Sequence, residues 1–93
     1  MARTAVRMLV EGRVQGVGYR WWALDRAQTL GLAGWVRNRK DGSVELLAIG
    51  EPDAIVRLAD LCAKGPPSAI VLRVSQQPSQ DDGSSSFSQL PTL

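Results

Sequence analysis

Ninety-three residues, 44% of them apolar and 22% charged, suffice for one domain with a modest core and leave no room for a second. The chain has no histidine, which excludes His as general base, metal ligand or phosphorylated nucleophile, and its single cysteine, Cys62, excludes an internal disulfide and an ordinary zinc site. The net charge of +2 conceals a polarity: Arg3, Arg7, Arg13, Arg20, Arg26, Arg37, Arg39 and Lys40 face only Glu11 and Asp25 in residues 1–40, while residues 41–93 are net acidic. Such a distribution suits an anionic ligand held by the first half, and equally a solvated surface with uneven charge.

Residues 5–11 alternate, with Val6, Met8 and Val10 on one face, and predict a strand. Residues 12–18 hold three glycines and predict a loop. Residues 19–30 turn helical, with Ala23, Ala27 and Leu30 on one stripe beside Trp22, and Gly31 is placed to end that helix in a left-handed conformation. Short strands at 34–38 and 43–49 flank Asp41-Gly42, whose tolerance of positive φ predicts an antiparallel hairpin. A second helix over 51–63 has Pro52 in its first turn, a stripe of Ile55, Leu58, Ala59 and Cys62, and a stop at Gly65-Pro66-Pro67. Residues 69–74 predict a fourth strand, 76–86 a flexible loop poor in apolar residues, and 87–90 a short edge strand. The order β-α-β-β-α-β predicts an α+β, ferredoxin-like sandwich, an antiparallel sheet with two helices on one face, as a single domain over 1–93 with its core at about 5–90.

Residues 1–9 are broken by Arg3 and Arg7, unlike the apolar run of a signal peptide, and no stretch approaches the roughly 20 apolar residues that span a bilayer. With a lone cysteine, these features predict a cytoplasmic protein with no membrane partner.

The loop Gly12-Arg13-Val14-Gln15-Gly16-Val17-Gly18-Tyr19-Arg20 is the most informative segment. A glycine-rich turn feeding a helix N-terminus aims unpaired backbone N–H groups and the positive end of the helix dipole one way, a site for phosphate or carboxylate. Arg20, in the first turn, can add a planar two-pronged contact. The glycine spacing is not that of a dinucleotide fingerprint, and the loop ends in Gly-Tyr-Arg where a nucleoside-triphosphate loop ends in Gly-Lys-Ser/Thr. Glycines that merely turn the chain would give the same bare pattern.

The complete string resolves that ambiguity by resemblance. Residues 12–20, then Gly34-Trp35-Val36-Arg37-Asn38 and the hairpin Asp41-Gly42-Ser43-Val44-Glu45, closely resemble the two signatures of the acylphosphatase family, in order and uninterrupted. Gly50, Gly65-Pro66 and Phe87 match as well, so the resemblance covers about residues 5–90. It implies a metal-free, cofactor-free hydrolase that cleaves the carboxyl-phosphate bond of a small acyl phosphate. Inorganic phosphate would be product and inhibitor, and the chain a monomer without nucleic-acid partners. By the same resemblance Arg20 and Asn38 are catalytic, Asn38 orienting the attacking water, and Gln15, Gly16, Val17, Gly18, Tyr19 and Arg20 cradle the phosphate. Tyr19 stands where phenylalanine is more usual, and nothing in 76–86 matches the family.

The residue inventory suits that chemistry. A carboxylate leaving group departs as a stable anion and needs little acid assistance, so positioning and charge stabilisation remain. An RNA-binding sheet is the main alternative for a basic ferredoxin-like chain, but the strands lack an aromatic-rich pattern and Phe87 is the only phenylalanine. A stand-alone relative of the similar domain that opens larger carbamoyl-transfer maturation proteins is another. Of Trp21, Trp22 and Trp35, packing is expected for at least two. Cys62 is expected to be a buried filler, and Arg13, Arg37 and Arg39 either solvated or widening an electropositive mouth.

Overall fold

A computed structural model describes residues 3–93 as β1 (Thr4–Arg13), α1 (Tyr19–Thr29), β2 (Ala33–Asn38), β3 (Val44–Gly50), α2 (Pro52–Lys64), β4 (Ile70–Pro78) and β5 (Phe87–Gln89). The strands form one sheet in the order β4-β1-β3-β2-β5. β1 pairs antiparallel with β3 from Thr4 opposite Gly50 to Val10 opposite Val44, and with β4 on its other side. β2 pairs antiparallel with β3, placing Asn38 opposite Val44 at the hairpin end.

Strand alternation sorts the side chains between two faces. Met8 and Val10 of β1, Val36 of β2, and Val44, Leu46 and Ala48 of β3 meet Tyr19, Ala23 and Ala27 of α1 and Ile55, Leu58, Ala59 and Cys62 of α2 in the main core. Both helices thus cover one face. Burying each large aliphatic there contributes about 1.5–3 kcal/mol. On the other face Ala5, Ala33, Leu47 and Ile49 form a small second cluster with Trp35 against it. Trp22 and Trp35 pack, as expected for two of the three tryptophans, whereas Trp21 is exposed. Cys62 is fully buried, and burial raises its thiol to about 11, so it stays protonated and inert.

The helix ends follow from their sequences. Gly31, at φ 72°, sends its N–H to the Gln28 carbonyl, and Leu32 sends its N–H to the Ala27 carbonyl, closing α1 in the left-handed motif that glycine favours. Pro52 opens α2, where a missing N–H costs nothing.

Two features depart from the sequence expectation. β4 runs on through Ser75, Gln76 and Gln77 to Pro78, taking three residues from the segment read as a loop. An edge strand needs no apolar alternation on a solvent face, so its polar end carried no strand signal. The rest of that segment has defined attachments. Ser79 donates its N–H to the Ala5 carbonyl, the Arg3 guanidinium grips Asp81 at 2.7 and 2.8 Å, and Gly34 donates its N–H to the Ser86 carbonyl. The chain thereby crosses to the far edge, where β5 runs parallel to β2, with Gly34 opposite Phe87. One reversal of direction after β4 makes that last pairing parallel in an otherwise antiparallel sheet.

Candidate active site

The loop between β1 and α1 is held from three directions. The Gln15 side-chain amide donates to the Arg39 carbonyl at 2.7 Å and the Ser43 carbonyl at 2.8 Å, tying the loop to the β2–β3 turn. The Ser68 hydroxyl, between α2 and β4, donates to the Val17 carbonyl at 2.8 Å. The buried Tyr19 hydroxyl donates to the Cys62 carbonyl at 2.8 Å, fixing the start of α1 against α2. Burial pushes the Tyr19 phenol well above its ordinary value, so it remains a donor. Val14 is buried in the core and Val17 packs against it.

Between these fasteners the backbone takes the conformation that glycine permits. Gly16 and Gly18 sit at φ 73° and 80°, and no side chain caps α1. The first backbone bond of the helix runs from the Trp22 N–H to the Gly18 carbonyl. Among the described residues, the amides of Gln15, Gly16, Val17, Gly18, Tyr19, Arg20 and Trp21 donate to no protein acceptor. The first turn carries no acidic residue. Consecutive free N–H groups beside a positive helix end make an anion nest. Arg20 lies in that turn, half-buried, and among the described residues its guanidinium makes neither hydrogen bond nor ion pair.

Asn38 ends β2. Its neighbours Trp35 and Arg37 belong to the second face, and alternation places Asn38 with Val36 on the helix side. Its Oδ1 is buried and accepts no hydrogen bond. Two guanidinium nitrogens, Arg26 Nε and Arg39 Nε, are also buried and donate no hydrogen bond, but each of those guanidinium groups has other contacts. The Asn38 backbone is firmly set, paired with Val44 and accepting at 3.0 Å from the Leu93 N–H. The adjoining turn is locked because Asp41 accepts from the Ser43 amide and hydroxyl. The Ser43 hydroxyl, then its amide, hold the Asp41 carboxyl below the usual carboxylate range.

The sequence-predicted loop and Arg20 are contiguous, and Gln15 draws the end of β2 alongside them through Arg39, the residue after Asn38. Arg37 and Arg39 both reach Glu45. The double tie of Gln15 was invisible in the sequence, where its amide group carried no positional signal. We expect Gln15→Ala to lose two hydrogen bonds and about 1–2 kcal/mol of stability. A thermal melt should show a fall of roughly 4–15 °C, and inorganic phosphate should inhibit more weakly.

Among the described residues no helix is long and apolar enough to cross a membrane, and no group of three or more metal-ligating side chains converges. The acylphosphatase family model matches residues 6–89. An acylphosphatase of Bradyrhizobium diazoefficiens is 43% identical over the whole of both chains. Two solved acylphosphatases superpose closely. That of Coxiella burnetii has TM-score 0.91 at 38% identity, covering 95% of this chain and 93% of its own. That of Bacillus subtilis has TM-score 0.90 at 38% identity, covering 96% and 99%. The chain belongs to the acylphosphatase family of acyl-phosphate hydrolases.

Proposed function

We propose that this chain hydrolyses acyl phosphates to a carboxylate and inorganic phosphate by direct in-line attack of water on phosphorus. The observation that carries the reading is the run of free amides from Gln15 to Trp21 beside the unpaired Arg20. That nest holds the phosphoryl oxygens and stabilises their charge as the bond to the leaving carboxylate breaks. A turn of the Asn38 side-chain amide brings Oδ1, buried and unpartnered in the ligand-free protein, to the attacking water, which it aligns opposite the leaving group. An amide is too weak a base to take the proton, so the substrate phosphate receives it. Neither metal nor cofactor enters this scheme, phosphate leaves as a product that competes for the nest, and the protein works as a cytoplasmic monomer.

Hydrolysis of benzoyl phosphate in ¹⁸O-water with EDTA present tests the scheme. Undiminished turnover with the label in phosphate is the expected result. Label in benzoate would move the attack to the carbonyl carbon, and activity lost to EDTA and regained with Mg²⁺ would overturn the metal-free mechanism.

A further inference from the structure

On the face of the sheet away from the helices, Glu45 is a buried carboxylate, its side chain 4% exposed, within reach of three arginines. Its Oε2 takes Arg7 Nε at 2.8 Å. Its Oε1 takes Arg37 Nε at 2.8 Å, with Arg39 Nη1 at 3.5 Å. Arg37 also lies over the Trp35 ring, 4.6 Å from its centre. The free amides of residues 15–21 make no bond to these side chains, and the one link to the loop is the Gln15 side chain on the Arg39 carbonyl.

The placement of the arginines decides what the carboxylate does. Arg37 and Arg39 immediately precede and follow Asn38, and one buried carboxylate on β3 fastens both. Arg7 anchors that carboxylate to β1 from the other side. A buried acid with both oxygens engaged by guanidinium groups has little freedom to shift. Asn38 is thus clamped on both sides through the second face, while its own side chain lies on the helix face with Oδ1 buried and unpartnered.

We infer that Glu45 is a positioning residue for the reaction: by holding Arg37 and Arg39 it sets the backbone of Asn38, and hence the direction in which Oδ1 aims the water. The inference rests on the reading of Asn38 given above. Glu45 touches neither Arg20 nor the free amides, and Gln15 keeps its second tie, to the Ser43 carbonyl, if Arg39 shifts, so Glu45 acts on the alignment of water before it acts on phosphate binding.

The test compares Glu45→Gln, Asn38→Ala and the double variant in benzoyl phosphate hydrolysis, with inorganic phosphate as competitive inhibitor. Misalignment by a fraction of an ångström should lower kcat of Glu45→Gln about tenfold, with KM and the phosphate inhibition constant within roughly twofold of wild type. In the Asn38→Ala background the same substitution should cost nothing further, because the group it positions is gone. A merely structural role would lower the melting temperature in both backgrounds and leave this pattern of kcat absent. The inference is overturned by an unchanged kcat in folded Glu45→Gln, by KM and phosphate inhibition weakening in step, or by the tenfold loss persisting without the Asn38 amide. Should Glu45→Gln fail to fold, Arg37→Lys, which keeps the charge and loses the Nε contact, must show the same kcat-only loss, abolished by Asn38→Ala. The Asn38→Ala arm stands alone as the check on the water-positioning reading: an unaffected kcat there would sink that reading, whatever Glu45 does.

Discussion

Arg20→Ala should abolish nearly all turnover while leaving the fold as stable as before, or more so. The guanidinium is half-buried in the first turn of α1 beside seven free amides, with no acidic partner in that turn. On the proposed mechanism, its removal takes away a charge-assisted contact to the phosphoryl oxygens that strengthens as the bond breaks. The expected penalty is on the order of 3–5 kcal/mol in the barrier, a hundredfold or more in kcat/KM. Its effect on stability has the opposite sign. A cation at the positive end of a helix dipole is unfavourable by a few tenths to about 1 kcal/mol, so alanine there relieves repulsion. Steady-state kinetics with benzoyl phosphate and a thermal melt on the same sample check both halves. Arg20→Lys should recover only part of the rate, because an ammonium keeps the charge but not the planar fork. Wild-type turnover in folded Arg20→Ala would remove Arg20 from the mechanism.

Asn38→Ala should separate the two requirements of the reaction. Alanine leaves the nest and Arg20 in place, so inhibition by inorganic phosphate should remain near the wild-type value. Loss of the only side-chain acceptor proposed to orient the water should lower kcat by about a hundredfold. Stability should change little or improve, since the buried Oδ1 is unpaired in the ligand-free protein and alanine discards that burden. A collapse of phosphate inhibition would instead make Asn38 a phosphate ligand. Asn38→Asp is the informative companion: a carboxylate keeps an acceptor in place but repels the phosphate, so it should weaken KM as well as kcat.

Much of this was legible along the chain because it is written locally. The Asp41-Gly42 turn, the Gly31 stop, Pro52 at the head of α2 and the glycine loop each depend on a few adjacent residues whose backbone preferences point one way. The helix stripes were readable for the same reason: Ala23 and Ala27, and Ile55, Leu58, Ala59 and Cys62, are buried as their spacing predicts. What escaped was non-local. Nothing local marks Glu45 for burial: Arg7 of β1, Arg37 of β2 and Arg39 of the following turn reach it from elsewhere. The polar end of β4 lacks alternation because an edge strand faces water, and β5 finds β2 only after the chain has crossed the sheet. In the site, Arg20 and the loop lie on one continuous stretch, whereas their alignment with Asn38 depends on Gln15 reaching Arg39 and Ser43.

The anchoring of the β1–α1 loop bears on how the catalyst spends its time. Gln15, Ser68 and Tyr19 secure that loop to three separate parts of the fold before any ligand arrives. On the proposed mechanism nothing has to close over an incoming anion, which exchanges places with the solvent that hydrates the open amides. Such a receptor, on that mechanism, forgoes the discrimination that a shutting cover provides, and answers to the dianion that acyl phosphates share. In return, no hinge has to swing between one catalytic cycle and the next.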